Sequence, residues 1–204
     1  MTPNPLSNQY HFYCGQALPE AWPYAYHVAA EGVFKVVHGR HFRAAFQVAA
    51  GRVAGLSSYP DAGVLLTVPR IPAGLLARVL AHARDVCLRA SLVPVEQMYH
   101  FHYFHGVGWR VAVPRQQAGA GRVAYTGGCE SSVVLDLHSH HEMAAFFSET
   151  DDRDEQGCRF YAVIGRIFTQ PDIRLRLGVY GDFLKLPAAF LFDGLGPFRD
   201  RGAE

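Results

Sequence analysis

Ser132-Val133-Val134-Leu135-Asp136-Leu137-His138-Ser139-His140, followed seven residues later by Ser148-Glu149-Thr150-Asp151, is the stretch that decides how the chain is read. The apolar run Val133-Val134-Leu135 predicts a buried central strand from Ser132 to Leu137 that delivers polar residues at its end. Side chains two apart on a strand point the same way, so His138 and His140 can offer two imidazole nitrogens to one ion at about 2.0–2.1 Å. Ser148 is a good N-cap, which puts Asp151 at the third helical position and its carboxylate on the first turn of a short helix. That helix is expected from Ser148 to Gln156, closed by Gly157 at the C′ position. Two histidines and one carboxylate leave a fourth tetrahedral position open, as catalytic zinc sites do. A water there has its pKa lowered to about 7.

Before this stretch, Leu75, Leu76, Val79, Leu80, Ala83, Val86, Cys87 and Ala90 recur at spacings of three and four. They predict an amphipathic helix with Pro72 near its first turn, ending before Pro94. Strands are expected over 97–105, 109–113, 122–125, 159–164 and 173–180, with a further one over 183–186. Residues 1–68 carry β-like runs such as Val33 to Val37 and Val64 to Val68, separated by aromatic residues and Gly/Pro punctuation. They read as a small β-rich region, and Glu31, His38 and His41 within it share no spacing that a metal demands. Two domains follow, 1–68 and 69–204.

Half of the residues are apolar, and 19 Lys and Arg against 18 Asp and Glu leave a net charge of +1, so no net field favours nucleic acid. The four cysteines, Cys14, Cys87, Cys129 and Cys158, form no C-x-x-C pair, and reduced, mostly buried thiols are expected. The opening MTPNPLSNQY lacks a basic and then apolar leader, and no apolar run reaches a membrane span, so a cytoplasmic protein with no membrane partner is expected.

His-x-His-(x)7-Ser-x-x-Asp resembles the signature of the JAMM/MPN+ zinc metallopeptidases, which include isopeptidases that remove ubiquitin and their prokaryotic (Prok-JAB) relatives. The resemblance covers roughly residues 69 to 190. It implies an α/β (α+β) fold class, a three-layer, cytidine-deaminase-like JAB/MPN domain with a mixed sheet flanked by helices. It implies one zinc ion as cofactor, held by His138, His140 and Asp151. A glutamate after the first helix serves that family as general base. Ser91-Leu92-Val93-Pro94-Val95-Glu96 is similar to its proline-x-glutamate junction, so Glu96 is the implied base, with Glu31 as runner-up. Ser148 is implied to hydrogen-bond the developing oxyanion. The layout more narrowly resembles the protein A family of the PRTRC systems of plasmids and other mobile elements. That implies a ubiquitin-like or sulfur-carrier-like protein as substrate and a ThiF-type activating enzyme as companion.

Two features depart from the family pattern. Many members have proline after the second histidine, where this chain has His141-Glu142. His141 can compete for metal, orient a ligand from behind it, or lie in solvent. The strand after Glu96 holds His100 and His102 on one face, either as a half-exposed surface or as ligands for a second ion.

The expected function is therefore a zinc isopeptidase or peptidase that cuts at a protein tail with a metal-activated water. A non-catalytic MPN-type interaction module is the alternative. A nucleobase deaminase would need Pro-Cys-x-x-Cys and a zincin His-Glu-x-x-His, and neither motif is present.

Overall fold

In a computed structural model of the chain, the described residues are 10–16, 23–60, 62–90, 96–114, 116–119, 122–125 and 132–202. Pro94, with the rest of 91–95, and Cys129 lie outside them. The chain divides into two compact units, Met1–Pro69 and Arg70–Glu204.

The N-terminal unit is a five-stranded sheet in sequential order: β1 (Tyr10–Phe12), β2 (Ala25–Ala29), β3 (Gly32–His38), β4 (Phe42–Ala50) and β5 (Gly63–Leu66). Only β1 and β2 pair in parallel; the other neighbours are antiparallel. Gly32 has φ +135°, and a Cβ there would sit 2.1 Å from the Ala49 carbonyl oxygen, so only glycine serves at this turn. One sheet face holds Ala25, Val36 and Ala45 beneath Tyr59, whose ring stacks on Phe34 at 4.6 Å. On the other, the buried Lys35 ammonium lies 4.5 Å from the Tyr24 ring centroid. The Glu31 carboxylate accepts from the Tyr59 N–H at 3.1 Å, and His41 is buried while His38 is exposed.

The second unit opens with helix α1 (Ala73–Arg89), followed by β6 (Met98–Phe104), β7 (Gly108–Ala112), β8 (Gln116–Gly119), β9 (Arg122–Tyr125) and β10 (Val133–Ser139). Helix α2 (Glu149–Asp154) comes next, then β11 (Cys158–Gly165), β12 (Asp172–Val179), β13 (Asp182–Leu186), a 3-10 turn (Ala188–Phe190) and β14 (Arg199–Asp200). The main sheet runs β13-β12-β11-β10-β6-β7, with β14 beside β12, while β8 and β9 form a separate hairpin. β10 is parallel to β11 and antiparallel to β6, so the sheet is mixed. This is the α+β architecture expected of a JAB/MPN domain with a β-rich region before it.

Alternation along the strands gives the sheet two unlike faces. Tyr99, Phe101, Leu135, Leu137, Phe160, Ile164, Leu175 and Leu177 point one way and are buried. That face meets α1, whose His82 ring nitrogen lies 3.0 Å from the Tyr99 hydroxyl and whose buried stripe is Leu76, Val79, Leu80, Ala83 and Cys87. Leu75, Val86 and Ala90, expected on that stripe, are only half-buried because they flank it. The first turn of α1 is capped from afar, by the Ala73 N–H donating to Asp193 Oδ1 at 2.6 Å. Met98, His100, Asp136, His138, Arg159, Tyr161 and Arg176 share the opposite face, as the register pairs Met98 with His138 and His100 with Asp136. α2 covers that face, its Asp152 and Glu155 pairing with Arg176.

Three local expectations are corrected. α2 ends at Asp154 with Glu155 as C-cap, two residues short of Gly157. Gly157 has no left-handed backbone; it is there because a Cβ would lie 2.7 Å from the Tyr161 hydroxyl, which accepts the Gly157 N–H. The central strand runs on through His138 and Ser139, because β11 and β6 pair with it to that point. His100 and His102 are buried rather than half-exposed, since Asp136 of β10 and Ser132 meet them across the strand boundary. Among the described residues Cys14 is exposed, Cys87 buried and Cys158 half-buried, all as free thiols.

Candidate metal centre

The end of β10 and the residue after it bring His138 and His140 to one cleft, their ring centroids 5.1 Å apart. The cleft, of about 130 Å³, is lined by Glu96, Met98, His138, His140, Phe146 and Asp151 among others. His140 is oriented by its backbone surroundings: its Nδ1 lies 3.2 Å from the Ala144 carbonyl, so Nδ1 bears the proton and Nε2 faces Glu96, 3.9 Å from Oε1. The loop supplying that carbonyl is tied down by Ala145 N–H donating to Asp172 Oδ1 at 2.9 Å and Arg166 N–H to the Met143 carbonyl at 2.8 Å. It passes so close to β11 that a Cβ on Gly165 would lie 2.3 Å from the Ala145 nitrogen.

Asp151 is held by a complete capping box. Its Oδ2 accepts from the Ser148 N–H at 2.6 Å and hydroxyl at 2.7 Å, while its own N–H donates to Ser148 Oγ at 3.2 Å. The other oxygen, Oδ1, faces His138 Nε2 at 3.8 Å. Ser148 thus fixes the direction of a cleft carboxylate in addition to capping α2.

Glu96 precedes β6 and is pinned through its neighbour. Ser139, fully buried between the two histidines, accepts the Gln97 N–H at its Oγ (3.1 Å) and donates its own N–H to the Gln97 carbonyl (3.0 Å). Spacing alone gave no sign that the middle residue of His-x-His ties the glutamate's strand to the ligand strand.

The electrostatics follow from burial. Desolvation, reinforced by the Asp151 charge, pushes the Glu96 carboxyl up to about 7. Burial lowers both His138 and His140, keeping the imidazoles in the neutral form that binds metal. Two neutral imidazole nitrogens and a carboxylate oxygen converging on one cleft form a donor set that fits zinc.

Sequence reasoning passed over Glu155. Among the described residues, ligand atoms of His138, Asp151 and Glu155 lie within 4.8 Å of one another, a tighter group than one containing His140. The available signal was its place four residues after Asp151, on the same helix face. His141 is buried and lowered in pKa by desolvation, with its Nε2 unpartnered among the described residues, so the solvent position considered for it does not occur. Glu31 belongs to the N-terminal unit, where its carboxylate accepts a backbone N–H.

A mixed sheet offering histidines and carboxylates from a strand end and a capped helix defines a JAB-type domain. The family profile of prokaryotic homologues of the JAB domain matches residues 73–178, just over half of the chain, and the chain belongs to that family. The family includes metallopeptidases and non-catalytic members. No curated protein matches the chain.

Proposed function

We propose that the chain is a zinc-dependent isopeptidase or peptidase that cuts at the C-terminal tail of a ubiquitin-like or sulfur-carrier-like protein. The observation that carries this is the convergence of His138, His140 and Asp151 on a cleft whose far wall is Glu96, with Glu96 Oε1 3.9 Å from His140 Nε2. His138 Nε2, His140 Nε2 and Asp151 Oδ1 would hold the ion. Bound there, zinc supplies Lewis acidity toward a water and a carbonyl oxygen.

The chain's own residues do the rest. Glu96, raised to about 7, is poised to accept a proton at its carboxylate near neutral pH and to return it to the departing amine. Ser148 Oγ donates to Asp151 Oδ2 in this structure, so stabilising an oxyanion requires its hydroxyl to rotate toward the cleft. Phe146 and Met143, both more than two-fifths exposed, give the cleft an apolar rim against which an extended tail can lie. Within the narrower PRTRC resemblance, a small ubiquitin-like protein and a ThiF-type activating enzyme are the expected companions.

The test is Glu96→Gln in protein of known zinc content, assayed on a ubiquitin-like protein with a cleavable C-terminal extension. The parent is expected to cut, and the variant to lose at least about a hundredfold in rate with its zinc retained. A parent that takes up no zinc, or a variant as active as the parent, overturns this reading. The first result would leave the non-catalytic interaction module.

A further inference from the structure

Asp151 and Glu155 lie four apart on α2 and its C-cap, which brings both carboxylates to the face that looks at β10. Only 12% of the Glu155 side chain is exposed. Oε2 accepts from Arg176 Nε at 3.0 Å and from Nη2 at 2.6 Å. Arg176 has little freedom. Its guanidinium carbon lies 3.9 Å from the Phe147 ring centroid and 3.8 Å from that of Phe183, and it also pairs with Asp152. A carboxylate gripped by a clamped guanidinium, with an oxygen within 4.8 Å of donor atoms of His138 and Asp151, has the arrangement of a metal ligand supported from behind.

We propose that Glu155 is a fourth protein ligand of the ion assigned above to His138, His140 and Asp151, with Arg176 holding its carboxylate. The inference rests on that assignment and changes its chemistry. With three protein ligands a tetrahedral ion keeps one open position; with four, water or substrate enters only by expanding the coordination to five or by displacing Glu155. Arg176 favours the second route, since it gives the carboxylate a partner to retain when it leaves the ion. Glu155 would thus gate access of water or substrate to a bound ion.

The full chain should be compared with Glu155→Gln, Glu155→Asp and, as a surface-charge control, Glu149→Gln, using zinc competition against a chromogenic chelator and the visible spectrum of the cobalt-loaded protein. Both Glu155 variants are expected to bind zinc about 10–100-fold more weakly and to change the cobalt band intensities, with circular dichroism unchanged and Glu149→Gln behaving as the parent. Glu155→Asp keeps the charge but withdraws the oxygen, so weakening in Glu155→Gln alone would mean that charge suffices, and the ligand assignment fails. Weaker zinc with an unaltered cobalt spectrum would place Glu155 behind His138 and also overturn it. Unchanged affinity in both variants sinks this inference while leaving the three-ligand centre intact, whereas a parent that binds neither zinc nor cobalt removes both.

Discussion

Ser139 lies between the cleft histidines with no exposed surface, and its Oγ is the acceptor for the Gln97 N–H. Truncation to alanine strands a buried donor, which costs about 1–3 kcal/mol. It also releases the residue after Glu96 from the ligand strand. Ser139→Ala is therefore expected to lower stability by about that amount in urea denaturation and to reduce turnover further, through a displaced base. A loss below about 0.5 kcal/mol would show that the contact is dispensable. At this scale the sequence was readable where the chemistry is local. His138 with His140, and Ser148 with Asp151, are spaced two and three apart, and such offsets translate directly into shared faces and caps. The Asp136 pairings with His100 (3.5 Å) and Arg159 (3.0 Å) depend on which strands become neighbours and in what register, which no single segment declares.

The elements divide along the same line. Periodicity located α1 because its apolar stripe repeats along the helix, and the apolar run Val133-Val134-Leu135 located β10, which is buried along its whole length. The end of α2 was misplaced because glycine was read as a terminator, when the neighbouring Tyr161 hydroxyl, four residues on and packed back, is what excludes a side chain at Gly157. The first strand of the β8–β9 hairpin was missed because Gln116-Gln117-Ala118-Gly119 has no apolar alternation to announce it. α2 has six residues, none of them buried, so its own packing contributes little. Its N-cap and its grip on Arg176 hold it. Ser148→Ala removes the hydroxyl that both caps the helix and binds Asp151 Oδ2, and is expected to cost about 1 kcal/mol of stability. It should also weaken zinc binding, as the third ligand loses its orientation. Ser148→Thr retains the hydroxyl and is expected to recover most of both. Equal zinc affinity in parent and alanine variant would show that Asp151 is oriented without the cap.

The two units should answer differently to protons and to metal. In the N-terminal unit, His27 is lowered to about 4, first by burial and then by the nearby charges of His11 and His38. Unfolded, it takes up a proton below its ordinary 6.5 while the folded form refuses one until about 4, so its contribution is intact above 6.5 and is lost as pH falls through that window. In the metal-free second unit, Glu96 and Glu155 are raised to about 7 and about 8, so the folded state keeps protons that the unfolded state releases above 4.5. Their contribution is full below 4.5 and is lost as pH rises to 7 and 8. His138 and His140, both lowered, add no opposing slope above the ordinary histidine value of 6.5. A bound zinc ion would favour the ionised form of these neighbouring carboxylates and so lessen the penalty of ionising them. Hydrogen exchange resolved by peptide, corrected for intrinsic rates, should show β10 and β11 losing protection between pH 6.5 and 8 in chelator and regaining it with zinc. β2 and β3 should be indifferent to zinc and lose protection only in acid. Zinc protecting both sheets equally, or a second unit indifferent to rising pH without metal, would refute the separate linkage and the place of these carboxylates at the centre of it.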